Sequence, residues 1–197
     1  MTDISIITTV YNCEKFINKS LHSILSQKNM PSFEWIICND GSTDSTWDKI
    51  VNFDFKHITD KVKLIDDSEN IRIPKRRNKA IKEAKGKYIA IQDGDDNSLD
   101  DRMRLLFDYL ENNPDIFCVG GKAIRILEDD YVDQIMDYPS CSHEQIVEDL
   151  CKKKNPIIDP SCMYRKNIFF ELNGYSEDEE IYTVPDMDLW CRAILQG

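Results

Sequence analysis

Three carboxylates stand within four positions, Asp93, Asp95 and Asp96, with Gly94 between the first two. Like charges this close repel, so a folded chain that keeps them together needs something to offset the field. A divalent cation does so directly: Mg²⁺ or Mn²⁺ takes oxygen ligands from one or two carboxylates and completes its shell with water and substrate phosphates. The same residues also suit an ordinary acidic turn, with Gly94 at the bend, Asp93 bonded to nearby backbone, and Asp95 and Asp96 facing water or capping a helix. Two other stretches carry comparable chemistry. Thr8-Thr9-Val10-Tyr11 sets hydroxyls beside an aromatic ring, and Asn39-Asp40-Gly41 places another carboxylate before a glycine.

Each of these stretches closes a short apolar run. Residues 4–10, 33–38, 61–65 and 87–92 are rich in β-branched and aromatic side chains and read as strands. Between them, residues 14–27 carry Phe16, Ile17, Leu21, Ile24 and Leu25 at helical spacing, residues 44–51 follow Ser42 and Thr43 as candidate caps, and residues 74–84 open on a proline. Alternating strands and helices predict an α/β fold with a mostly parallel central sheet and helices on both faces. Binding sites in such sheets lie at the carboxyl ends of the strands. That rule gathers Thr9 and Tyr11, Asp40, and Asp93 to Asp96 into one cleft with room for a base, a ribose and a metal-bound diphosphate.

The later residues are less regular. Helices are expected over 99–112, 144–151 and 167–172, the last stopped by Asn173-Gly174, and strands over 116–119, 122–127 and 161–165. Residues 177–180 form an acidic loop expected to be mobile, and Asp186-Met187-Asp188-Leu189-Trp190 opens a final helix. Taken singly, Asp186 reads as a helix N-cap and Arg77 as a solvated helix charge.

With 197 residues the chain suits a single domain, in two halves of about 1–98 and about 99–197. Thirty-six acidic against twenty-five basic residues give a formal charge of −11, which argues against unspecific nucleic-acid binding and against docking on anionic lipid. The longest apolar run, 4–10, is far short of the about 20 residues of a membrane span. Seven cysteines form no C-x-x-C pair, so a reducing cytoplasm is the expected location, with peripheral attachment to a membrane left open, and Cys141 and His143 read as ordinary residues.

In order and spacing, Thr9-Val10-Tyr11-Asn12, Asn39-Asp40-Gly41-Ser42-Thr43-Asp44, Asn70 with Arg77-Asn78, Ala84-Lys85-Gly86-Lys87-Tyr88, Asp93-Gly94-Asp95-Asp96 and Asp186-Met187-Asp188-Leu189-Trp190 closely resemble the GT-A-fold family 2 glycosyltransferases. The resemblance implies an inverting transfer of a sugar from a nucleotide-sugar donor, with a UDP-sugar expected, to a glycan, lipid-linked or protein acceptor. It further implies that Thr9 and Tyr11 line the nucleobase, Asp40 accepts from the uracil imide, and Arg77 lies near the base and diphosphate. Asp93-Gly94-Asp95 matches the D-x-D motif that binds ribose and Mn²⁺ or Mg²⁺, with Asp95 the first choice as ligand beside Asp93 and Asp96. Asp186 matches the catalytic base. The chain departs from the family's usual pattern at Asn39, where an acid is common, at Pro185, where a glutamate is common, and at Arg72 and Arg76, where glycine and alanine are usual. Two other readings compete: a nucleotide-sugar binding module without catalysis, and a sugar-nucleotide pyrophosphorylase, for which Thr9-Val10-Tyr11-Asn12-Cys13 offers no phosphate-wrapping glycine.

Overall fold

The computed structural model describes residues 2–127, 132–136, 142–181 and 183–196, so Cys141 lies outside the described residues. Four strands run parallel: β1 (Ile4–Val10), β2 (Phe33–Asn39), β3 (Val62–Ile65) and β4 (Tyr88–Ile91). Two shorter ones complete the sheet, β5 (Cys118–Val119) and β8 (Met163–Arg165), with β8 antiparallel to both β4 and β5. The order is β3-β2-β1-β4-β8-β5, so the sheet is mixed and mostly parallel, as the alternation predicts. A separate antiparallel ribbon pairs β6 (Ala123–Ile126) with β7 (Val132–Met136). β7 has no counterpart in the sequence reading, because Val132-Asp133-Gln134-Ile135-Met136 alternates too weakly to stand out.

Helices cover both faces because each turns one apolar stripe to the sheet. On one face, α1 (Ile17–Leu25) contributes Ile17, Leu21 and Ile24, α2 (Thr46–Val51) Ile50, and α4 (Arg102–Asn112) Met103, Leu106 and Leu110. The opposite face is packed by α3 (Ile73–Lys82), α5 (His143–Cys151), α6 (Lys166–Glu171) and α7 (Pro185–Leu195), through Ala80, Ile81, Leu150, Phe169, Leu189 and Trp190. The intervening β1 and β4 residues, Ile4, Ile6, Ile7, Tyr88, Ile89, Ala90 and Ile91, are buried on both sides. This is why their sequences are continuous apolar runs.

Helix ends differ from expectation where side chains have other work. α1 starts three residues later than the spacing suggests, since Glu14 accepts from the Ser45 amide and hydroxyl and Asn12 accepts from the Thr43 amide. Asn12 thereby occupies Thr43, its own amide takes the Ser42 hydroxyl as acceptor, and Asp44 instead receives the Thr46 amide at the start of α2. The stop after α6 is as expected: the Gly174 amide, at φ +69°, donates to the Phe169 carbonyl.

Candidate active site

β1 lies between β2 and β4, so the sheet's connections reverse direction beside it, and a crevice opens at the carboxyl ends of these strands. The crevice is a cavity of about 1030 Å³. Thr9, Tyr11, Asp40, Asp93 and Asp95 line it together. Asn70 to Lys75, at the start of α3, and Glu179 and Thr183, before α7, close its sides. Tyr11 is 50% exposed, which leaves a ring face for a flat ligand.

Asp40 is only 3% exposed and is already engaged. Its Oδ1 accepts from the Ile71 amide at 3.0 Å and Arg76 Nε at 2.9 Å, and its Oδ2 from the Arg72 amide at 3.1 Å. Arg72 reaches that amide position with φ 75° and ψ 153°, a backbone region that glycine adopts most easily. Arg76 is buried and also pairs with Asp67. The two arginines that depart from the family's usual pattern therefore hold Asp40 and the loop beside it. Each carboxylate oxygen accepts two bonds, so Oδ2 can take one more donor from a ligand.

The acidic turn after β4 is built from behind. Gln92 Nε2 donates to the carbonyls of Asp93 at 3.1 Å and Asp96 at 2.8 Å, the Ser20 hydroxyl donates to the Asp93 carbonyl at 3.0 Å, and the half-buried Arg102 donates to Gln92 Oε1 at 3.0 Å. Gly94 is required there, because a Cβ would stand 2.7 Å from Val10 Cγ1 and 2.9 Å from Cys13 Sγ. One carboxylate oxygen from each of Asp93, Asp95 and Asp96 lies within 4.8 Å of the others. Asp93 is paired with Arg77, whereas neither Asp95 nor Asp96 has a lysine or arginine within ion-pair distance among the described residues. Loss of water around its carboxyl, then the charges of Asp93 and Asp95, pushes Asp96 up to about 6, and loss of water, then Asp93, raises Asp95. Crowded oxygens with uncompensated charge at a cavity mouth fit a hard divalent cation.

Arg77 does not line the cavity. It is 5% exposed, lies beneath Asp93 and donates through one nitrogen to Asp93 and through another to Asp159. Any part it takes in binding a donor passes through Asp93. Burial pushes Asp159 up to about 6, against the pull of Arg77, with the charges of Asp186 and Asp93 adding to the rise. The neighbouring Asn78 bonds Tyr175 twice, to its carbonyl at 2.8 Å and from its amide at 3.0 Å, and donates to Glu177 at 3.0 Å.

Asp186 stands in the first turn of α7, half-buried, with its Oδ2 accepting from Asn155 Nδ2 at 2.6 Å. The helix cap is Val184, which makes no side-chain bond, so Asp186 is not the N-cap that its position alone suggests. It follows closely on Thr183, which lines the cavity, and its charge reaches Asp159. Arg76, Asp159, Tyr175, Gln92 and Arg102 all support the site without a role in the sequence reading. Only Arg76 carried a signal, as a departure from the usual alanine.

A mostly parallel sheet with a cleft of this form at its switch point is the GT-A fold of glycosyltransferases. S. aureus TarS 1-349, in complex with UDP-GlcNAc, shares it with a TM-score of 0.75 and 22% identity, over 98% of this chain and 54% of that one. The model of the family described as "Glycosyl transferase family 2" matches residues 5–172, and the chain belongs to that family. EpsE of Bacillus subtilis is 32% identical over 194 residues, 98% of this chain and 67% of its own. The Escherichia coli UDP-Glc:alpha-D-GlcNAc-diphosphoundecaprenol beta-1,3-glucosyltransferase WfaP is 35% identical over 122 residues, 62% of this chain and 47% of its own. The chain thus spans about two thirds of EpsE and about half of WfaP and TarS 1-349. No helix among the described residues is long and apolar enough to cross a membrane.

Proposed function

We propose that this chain is a catalytic domain that moves a sugar, with inversion, from a UDP-sugar to a hydroxyl of a lipid-linked acceptor. The observation that carries the proposal is the single cavity lined by Thr9, Tyr11, Asp40, Asp93 and Asp95 in a chain of this family. TarS, bound to UDP-GlcNAc, supports a UDP-sugar as donor, and WfaP's name supports both that donor and an acceptor carried on a lipid diphosphate.

In this reading Tyr11 stacks on the nucleobase, Thr9 lines it, and the remaining site on Asp40 Oδ2 takes the uracil imide N–H. Asp93 serves the ribose and the cation, and Asp95, with Asp96 in reach, holds Mn²⁺ or Mg²⁺. When bound, that ion supplies positive charge where the departing diphosphate becomes negative. Asp186 takes the acceptor's proton as the oxygen attacks, concerted with bond formation, because a carboxylate cannot deprotonate a free alcohol beforehand. Asn155 orients Asp186 for that step. Arg77 pairs with both Asp93 and Asp159, and the charge of Asp186 also acts on Asp159.

The test is a melting-temperature screen of UDP-, GDP- and dTDP-sugars with and without Mn²⁺, followed by a transfer assay with the best donor. A ligand bound only by the native state raises its melting point. The expected result is a UDP-sugar shift that needs Mn²⁺ and disappears in Asp95→Ala, together with release of UDP on adding acceptor. A shift without any transfer or donor hydrolysis would favour a binding module instead.

A further inference from the structure

Arg77 is clasped by two carboxylates that belong to different parts of the fold. Nη2 donates to Asp93 Oδ1 in the acidic turn, and Nη1 donates to Asp159 Oδ2 in the 3-10 turn 159–161 before β8. Arg77 and Asp159 are both buried, and neither lines the cavity. Asp159 is fixed in turn by the Tyr175 hydroxyl, which lies 2.9 Å and 3.0 Å from its two oxygens. Asn78, the next residue after Arg77, holds the Tyr175 backbone. The aspartate is thus anchored in place, not merely within reach of the arginine.

Charge balance gives this arrangement a purpose. A buried arginine facing one carboxylate forms a neutral pair, and if Asp93 were the sole partner its charge would be spent on Arg77. The guanidinium would then weaken the cation site that Asp93 shares with Asp95 and Asp96. A second buried carboxylate leaves Arg77, Asp93 and Asp159 with a net charge of −1, so Asp93 acts on a neighbouring cation as a full anion. Arg77 still fixes its orientation.

We infer that Asp159 is a positioning residue: it balances Arg77, and through Arg77 it leaves Asp93 able to serve a divalent cation. The inference rests on the reading of Asp93, Asp95 and Asp96 as the cation site. It separates two jobs that a single arginine–aspartate contact would set against each other, orientation by Arg77 and neutralisation by Asp159.

The experiment is a Mn²⁺ titration of the chain, with and without UDP, read by the electron paramagnetic resonance of the free ion, with melting temperatures recorded in parallel. Asp159→Asn keeps the hydrogen bonds to Arg77 and Tyr175 and removes only charge. It should weaken Mn²⁺ binding by at least about tenfold, because one unit charge acting on a divalent cation through an effective dielectric of about 20 is worth that much even at about 20 Å. The double variant Arg77→Met, Asp159→Asn should return to within about threefold of the wild type. Tyr175→Phe should lower the melting temperature and leave Mn²⁺ affinity within about twofold. Unchanged affinity in Asp159→Asn, or a double variant as weak as the single one, overturns the inference and makes Asp159 a structural partner only. Should Asp159→Asn fail to fold, the double variant decides by itself, a loss of tenfold or more counting against charge balance. A wild type that binds no Mn²⁺ under either condition sinks the cation reading itself, which the variants' differences do not test.

Discussion

The regions on either side of residue 98 solve different problems. In the first, β1, β2 and β4 are buried and their polar ends are locked: Asp40 by two amides and Arg76, the Asp93–Asp96 turn by Gln92 and Ser20. In the second, the sheet strands are two and three residues long, and the ribbon β6–β7 leaves Ile124, Ile126 and Val132 about half exposed. The first region is built to hold a ligand in fixed geometry. The second joins the first through the pairing of β8 with β4 and the packing of Leu189 and Trp190 on the sheet, with Arg77 to Asp159 and Asn78 to Tyr175 as polar ties between the two.

The largest expected effect separates the two regions by function. Asp186→Asn keeps the bond to Asn155 and removes the proposed base, so kcat should fall by about 10³-fold, within the range for general-base loss. Affinity for UDP with Mn²⁺, measured by calorimetry, should stay within about twofold. If both fall together, Asp186 supports the fold of α7 and the division of labour is wrong.

Next comes the lock on the donor side. Arg76→Met leaves Asp40 buried with its charge opposed only by two amides, and breaking a buried pair from one side costs about 3–5 kcal/mol. Urea unfolding should report a loss of that order, with weakened UDP binding as residues 70–72 loosen. A loss below about 1 kcal/mol would mean that Asp40 is held by the backbone alone.

The tie between the regions is smaller. Gly174 sits at φ +69°, and a Cβ there would stand 2.7 Å from Asn78 Oδ1, the atom that accepts the Tyr175 amide. Gly174→Ala should cost about 1–3 kcal/mol from the backbone and the clash together. Its kinetic signature should be a fall in kcat larger than any loss of UDP affinity, because the displaced segment touches the cavity only at Glu179 and Thr183 before it leads to Asp186.

How far the residues foretold all this divides along the same line. The cleft was legible because its parts are local: β-branched runs that end in Thr9-Val10-Tyr11, Asn39-Asp40 and Asp93-Gly94-Asp95 mark both the strand and the polar residues at its tip, and these line one cavity. The supports were not. Arg76, Arg77 and Asn78 are consecutive polar residues in a helix, a pattern that ordinarily faces solvent. Their burial depends on Asp40, Asp159 and Tyr175, the last two 82 and 97 positions away, and no window of sequence contains both members of such a pair. β7 is illegible for a simpler reason, since Val132-Asp133-Gln134-Ile135-Met136 shows no apolar–polar alternation in the sequence itself.

The smallest expected effect tests that last contrast with one substitution made in both regions. Ile124 in β6 is 50% exposed and, among the described residues, its ribbon pairs with no strand of the sheet, so Ile124→Thr removes little buried surface and leaves its hydroxyl in water. Denaturation should move by less than about 0.5 kcal/mol, the usual range for surface changes. Ile6 in β1 is 0% exposed and lies between two strands, so Ile6→Thr loses apolar contact and buries a hydroxyl that must find a partner. Its cost should exceed that of Ile124→Thr by at least about 1.5 kcal/mol. Equal costs would show that the ribbon is packed against something in solution, and that the acceptor side is as firmly built as the donor side.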